Sequence, residues 1–391
     1  MNSQNTPVHI RLWHRDFWLM ALANLLLTIS VYMLIPTLPH WLLGIHGLTA
    51  IETGFAMGAF GFGLFGFGAF ASYLVQRYRR NLVCVLAALS IAALIGGLYY
   101  VDVKLCQMME AWFVILQRFF LGAFFGLAQM VLTSTLIIDT CESYQRTEAN
   151  HSASWFSRFA LALGPLAGLL LQRLVGFDLV LLSAAGVAAV GAVLILLVSF
   201  PFRTPDDNIP TVSLDRFFLP HGFPLFANLQ LVTLAVGLLL SLKLSELFFA
   251  MVMVGFLLAL VAQRFVFRDA EVKSEVVTGL IVMGAALLMM LTRTQQIVWY
   301  AAPVFIGFGL GLIGSRFLLF FIKLSRHCQR GTSQSTFMLG WESGIAWGLG
   351  LGLMCFEGDR RLTLLASLLL LVVALLLYHF THSWFVKNKN R

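Results

Sequence analysis

Uninterrupted apolar windows of about 20 residues recur from one end of the chain to the other, separated by short polar turns. A soluble core helix has no use for that length, whereas a helix crossing lipid hydrocarbon needs about 20 residues. Windows at 17–38, 52–75, 82–101, 111–138, 152–172 and 179–200 are followed, after a longer polar stretch, by a second set. These lie at 223–242, 245–262, 276–292, 297–322, 332–356 and 361–380, so the pattern predicts twelve transmembrane helices. Nothing alternates apolar and polar residues as a barrel strand would, and an open strand edge finds no hydrogen-bond partner in lipid. The pattern predicts an all-α membrane protein.

Composition agrees with that reading. Charged residues make up only 11% of the chain and hydrophobic ones 59%, where ordinary globular domains are about 25% charged. Mean hydropathy is +0.87. The opening segment MNSQNTPVHIRLWHRD has no short apolar region followed by a small-residue cleavage site, so the first apolar run is expected to remain as a permanent span. Charge sets the orientation. With the N-terminus cytoplasmic, 17 of the 26 Lys and Arg fall in inside segments, Arg11, Arg77, Arg203, Arg268 and Arg391 among them, and only 6 in outside loops. Both termini are therefore expected in the cytoplasm, in a multi-pass cell-membrane protein such as one of a bacterial inner membrane. The net charge of +8 follows from that topology against anionic inner-leaflet lipid, and no nucleic-acid partner is implied.

Several chemistries are excluded by what the sequence lacks. The five cysteines (Cys84, Cys106, Cys141, Cys328, Cys355) show no CxxC or metal-ligand spacing, and the nine histidines no HExxH. No GxxxxGK[ST] loop is present to cradle a nucleotide phosphate, so ATP is not the direct energy source. Neither a nucleophile–base cluster nor a cofactor site is visible, and the expectation is a non-enzyme without cofactor or metal.

The longest polar stretch, 200–224, carries five prolines and cannot continue a helix. It divides the chain into an N-terminal six-helix half (1–200), a cytoplasmic linker (201–222) and a C-terminal six-helix half (223–391). The halves echo each other at a nearly constant offset. Gln76-Arg77-Tyr78 is matched by Gln263-Arg264-Phe265, Gly122 and Gly126 by Gly307 and Gly311, and Trp155, Ser157 and Gly164 by Trp341, Ser343 and Gly350. Two parallel six-helix repeats about an axis normal to the membrane are a transporter plan.

At these residues the chain resembles the major facilitator superfamily. Between the second and third windows that family's loop typically reads G-x-x-x-D-R-x-G-R-R; here Arg77 and Arg80 fit, while Ser72, Gln76 and Arg79 replace the first Gly, the Asp and the second Gly. Arg118-Phe-Phe-Leu-Gly122 is similar to the family's fourth-span arginine motif. Gly164-Pro165-Leu-Ala-Gly168 resembles its fifth-span G-P-x-x-G-G motif, without the last Gly, which is associated with exporters. The resemblance implies a major facilitator fold of two pseudo-symmetric halves. It also implies alternating access, with Gln76, Arg77, Arg80, Gly164 and Pro165 at gating and packing positions.

Ionisable residues at membrane depth are costly, about 2.5–3.5 kcal/mol on insertion scales, and so are functional candidates. Arg118 either faces a central cavity, binding an anion or tuning a nearby acid, or snorkels to the outer interface. Glu342, near the middle of its window, is read as a proton-coupling or substrate-contacting acid, or as a structural hydrogen-bonded one. Arg158 and Arg316 lie closer to the inner headgroups, and a structural role is favoured for them. Asn24, Gln129, Asn228 and Gln230 either line the path or bond between helices. Gly340, Gly344, Gly348 and Gly352 form a bare ridge, expected to meet Gly54, Gly58, Gly61 and Gly68 of the second window and to slide as the halves rock. The expected function is proton-coupled efflux of a small amphipathic solute by a monomer, whose partners are that solute, protons and the bilayer. Uptake of an anionic nutrient is the alternative.

Overall fold

The computed structural model describes residues 12–104, 110–142, 144–200, 209–267 and 271–389, all helix, turn or coil, with no strand among them. Among the described residues, ten helices are long and apolar enough to cross a membrane: α1 (Arg15–Gly44), α3 (Arg80–Asp102), α4 (Ala111–Asp139), α5 (Arg146–Val175), α6 (Phe177–Leu196), α7 (Pro220–Leu240), α8 (Glu246–Phe265), α9 (Val272–Thr292), α10 (Gln296–Leu324) and α12 (Arg360–Asn388). An eleventh, α2, is the pair Ala50–Gly63 and Gly68–Arg77, bent by 44°. The bend falls in Gly-Phe-Gly-Leu-Phe-Gly-Phe-Gly, where backbone crowding is least restrained and α4 packs against the chain. One more helix, α11 (Arg330–Phe356), has 27 residues but is less apolar, carrying Thr332, Ser333, Gln334, Ser335, Thr336 and Glu342. Those polar groups are buried in protein, which is how a span can hold them away from lipid.

Several helices outrun their apolar windows. The 29 residues of α10 and of α12 reach about 44 Å at 1.5 Å per residue, beyond a hydrocarbon core of about 30 Å. Their polar ends continue the helix because only the middle must be apolar. Helix starts carry the expected side-chain caps: Thr49 with Glu52 forms a capping box on α2, and Ser245 and Asp359 cap α8 and α12. Pro165 and Pro303 lie inside α5 and α10 without ending them.

The packing of α1–α6 recurs in α7–α12. Helix α1 lies against α5 and α6 as α7 lies against α11 and α12; α4 packs on α2 and α3 as α10 packs on α8 and α9; α3 meets α6 as α9 meets α12. Between the sets, α2 crosses α11 and α5 crosses α8. Burial follows the same rhythm. The apolar window of α4 is 94% buried and that of α10 78%, against 39% for α3 and α6 and 33% for α12. The peripheral helices show Leu, Val and Phe outward, as a lipid-facing surface requires.

The glycine ridge is oriented differently from the sequence expectation. A Cβ at Gly340 would meet Phe226 and Leu229, at Gly344 Thr233, at Gly348 Gly237 and at Gly352 Ser241, all belonging to α7 or its end. The ridge therefore seats α11 on α7. The crossing with α2 uses another face, where a Cβ on Gly350 would lie 2.7 Å from the Gly54 carbonyl oxygen and 3.0 Å from the Gly58 Cα. Two residues along a helix turn the face by about 200°, so the repeat of four cannot serve both partners. Gly54 and Gly61 do face α11, but Gly68 packs against the Phe217 ring of the linker.

The linker is a strap. Residues 201–208 lie outside the described set, as do Arg11, Cys106, Arg203, Arg268 and Arg391. From Ile209 onward the chain is laid across the molecule: the Ser213 amide donates to the Ala69 carbonyl of α2 (2.9 Å), and the Leu219 amide to Thr336 Oγ1 of α11 (2.8 Å).

Candidate transport site

Arg118 and Glu342, from helices more than two hundred residues apart in sequence, line one small cavity at the centre of the bundle together with Tyr32, Met57 and Phe60. Tyr32 donates its hydroxyl to Glu342 Oε2 at 2.8 Å, joining α1 to α11. Arg118 is 2% exposed, its guanidinium 5.0 Å from the Phe60 ring centre, and its Nε and Nη1 have no hydrogen-bond partner. It does not snorkel. A buried guanidinium with unfilled donors is costly, and an anionic group brought beside it would fill them.

Glu342 also lines a second cavity, one turn along α11 toward the linker end, with Gln129, Ser157, Arg158, Gln334 and Trp341. Arg158, for which a structural role is favoured by sequence, is 1% exposed and bonded within the protein rather than at the headgroups. Its Nη1 donates to Ser315 Oγ (2.7 Å) and its Nη2 to Ser154, with the guanidinium 4.4 Å over the Trp155 ring, while Nε is unpartnered. One carboxylate thus lines two cavities, one shared with Arg118 and the other with Arg158. The two cavities measure about 10 and 20 Å³, room for a water molecule and little more. The centre is closed in this conformation.

The other polar candidates divide. Gln129 lines the inner cavity and donates to Thr28 Oγ1 (3.0 Å). Gln230 donates to Ser343 Oγ (3.0 Å), next to Glu342. Asn24 bonds the Ala153 carbonyl and Ser157 Oγ (3.1 and 2.7 Å), and Asn228 the Ala374 carbonyl (2.9 Å), so these two pin helices together. Gly164 abuts Tyr32: a Cβ there would lie 2.6 Å from the Tyr32 Cβ, so the glycine admits the tyrosine that serves Glu342. Pro165 follows it, buried in α5. Arg316 is held by both oxygens of Glu275, a fully buried carboxylate of α9. Glu275 was not singled out by sequence: in the first turn of its helix it looks peripheral there and is enclosed by packing.

At the linker end, Gln76 donates to Ser72 Oγ (2.8 Å), Arg77 is exposed, and Arg80 pairs with Asp139 of α4. Ser72 lies 3.4 Å from Asp215 Oδ2, and Asp215 Oδ1 accepts from Thr332 Oγ1 at 3.1 Å. The linker therefore places a carboxylate between α2 and the first turn of α11, beside the glutamine that stands where an aspartate was expected. No pattern in the sequence pointed to Asp215, because the strap is a tertiary feature.

A bundle of membrane-length helices closing over a buried, incompletely bonded charge cluster is an arrangement that transporters use. The family model described as Major Facilitator Superfamily matches residues 20–349. The chain belongs to that superfamily, whose members are transporters. Among solved structures, the nucleoside transporter NupG is similar with a TM-score of 0.65 at 13% identity, covering 94% of this chain and 100% of that one. The human organic anion transporter MFSD10 (TETRAN) is similar with a TM-score of 0.65 at 15% identity, covering 92% and 98%. No curated protein sequence matches significantly. At such identities the likeness establishes the fold.

Proposed function

We propose that this transporter moves a small amphipathic solute bearing an anionic group, in exchange for protons and in the outward direction. The observation that carries the reading is the cluster itself: Glu342, bonded to Tyr32, lines one cavity with Arg118 and another with Arg158, both arginines having unfilled donors. Protonating Glu342 removes the negative charge that both cavities share and leaves the arginines to an anionic solute; release of the solute lets the carboxylate ionise again. Proton and solute then compete for one electrostatic site, the basis of exchange. The Gly164-Pro165-x-x-Gly168 segment supports the outward direction through its resemblance to exporters.

In this proposal α11 is the twelfth span, and residues 1–200 and 223–391 are six-helix halves that rock about the centre. The recurrence of packing between α1–α6 and α7–α12 supports it. A monomer in a bacterial inner membrane, both termini cytoplasmic, completes the proposal. Proteoliposomes with an imposed pH gradient test it: solute movement should follow the gradient, and Glu342→Gln should uncouple the two. Gradient-driven transport unchanged in that variant removes Glu342 from the coupling. Uptake of an anionic nutrient uses the same arginines, and accumulation measured in cells with and without the gene separates the directions.

A further inference from the structure

A separate polar cavity of about 180 Å³ opens at the linker end, walled by Arg80, Asp139 and Arg146 on one side and by Arg216, Arg330 and Thr332 on the other. Its charge does not cancel. Arg80 is paired with Asp139, and Arg216 lies 3.7 Å from Asp215. Among the described residues no ion pair joins Arg146 or Arg330 to a carboxylate, and the buried Nε of Arg146 has no hydrogen-bond partner. Burial of Arg216 lowers its pKa, Asp215 opposing the shift, so positive charge is already costly on that wall.

The same wall is the start of α11. The residue before the helix, Gln329, gives no side-chain bond to the first amides, and the positive end of this 27-residue helix borders the cavity at Arg330, Gly331 and Thr332. Unbalanced guanidinia and helix N-termini are two elements that hold phosphate groups in proteins. A volume of about 180 Å³ is below the range of drug-sized pockets, about 300–1,000 Å³, and suits a compact head group.

We propose that this cavity binds a phosphate-type anion, carried by an anionic lipid head group or by a soluble phosphate ester, through Arg146, Arg330 and the first amides of α11. The walls come from α3–α5 on one side and from the strap and α11 on the other. The bound anion therefore bridges parts that must separate if this end opens, and favours the closed arrangement by its differential affinity.

Thermal unfolding of the purified full-length protein, titrated with dioctanoyl phosphatidate, glycerol 3-phosphate or uncharged dioctanoylglycerol, tests the site. Either phosphate compound should raise the midpoint in a saturable way and dioctanoylglycerol should not. A stronger effect of phosphatidate assigns the lipid source, and an equal effect of glycerol 3-phosphate the soluble one. Arg146→Gln with Arg330→Gln should weaken binding about thirtyfold, the scale of two arginines at a charged surface. Arg173→Gln, an exposed arginine at the opposite end, should leave it unchanged. Should the double variant fail to fold, Arg146→Lys and Arg330→Lys keep the charge and should bind, with affinity falling as salt is raised. No shift with either phosphate compound, undiminished binding in the double glutamine variant, or salt-independent binding overturns the proposal.

Discussion

At the scale of single residues, the Tyr32–Glu342 bond is the contact on which the centre turns. Hydrogen bonds to charged groups contribute about 1.5–3 kcal/mol, roughly ten- to hundredfold in a rate or equilibrium. Tyr32→Phe keeps the buried ring and removes only the donor. We expect solute transport in proteoliposomes to fall by about tenfold or more while the melting temperature stays near that of the parent. A rate unchanged by the substitution would make Tyr32 a packing residue. Gly164→Val reaches the same tyrosine from behind, since its side chain would occupy the space of the Tyr32 Cβ; it should cost both transport and stability. Sequence located Arg118 and Glu342 because a charge inside an apolar window stands out. It favoured a structural role for Arg158 but could not name its partners, since Ser154, Ser315 and Gly311 come partly from a helix about 150 residues away. Nothing local separates an arginine that snorkels from one satisfied by a distant neighbour.

Among the helices, α11 is the element that touches most of what matters. One face seats on α7 through Gly340, Gly344 and Gly348, another crosses α2 at Gly350, and a third carries Glu342 into the centre. Adding bulk to the α7 face should be felt as overpacking, about 1–3 kcal/mol. Gly344→Val meets Thr233 and the Gln230 carbonyl oxygen and should lower the melting temperature by several degrees. Gly58→Ala on α2 is the comparison: a Cβ there meets nothing within 4 Å, and the melting temperature should be nearly unchanged. Equal destabilisation by both substitutions would contradict the packing described. The helical repeat of four residues was legible from the sequence, but not which neighbour it meets. Every face of a fully enclosed helix looks equally apolar or small, and only the packing angle selects among them.

For the whole molecule, the strap ties the linker end of α2 to that of α11. Asp215 holds Ser72 of α2 and Thr332 of α11 together, across the α2–α11 crossing that the proposed rocking would loosen. Asp215→Asn keeps the shape and removes the charge at the α11 N-terminus, where a carboxylate is favoured. We expect the linker end to open more often. In a cysteine-free background, Ser134→Cys, buried beside Gly331, should react with a polar maleimide about tenfold faster when Asp215 is replaced, a shift of about 1.4 kcal/mol. An unchanged labelling rate would make the strap passive. By itself the sequence determined that this chain is a bundle of membrane-crossing helices of the major facilitator kind, and which two buried charges to suspect. Hydrocarbon admits little but apolar helix, so composition and spacing carry that information locally. Only the tertiary structure decided that Tyr32 and Arg158 share the centre with Glu342, and that the glycine ridge serves α7. It alone revealed that a linker aspartate stands beside Gln76. Each of these depends on which residues far apart in the chain come within about 3 Å, and spacing along one helix does not encode that.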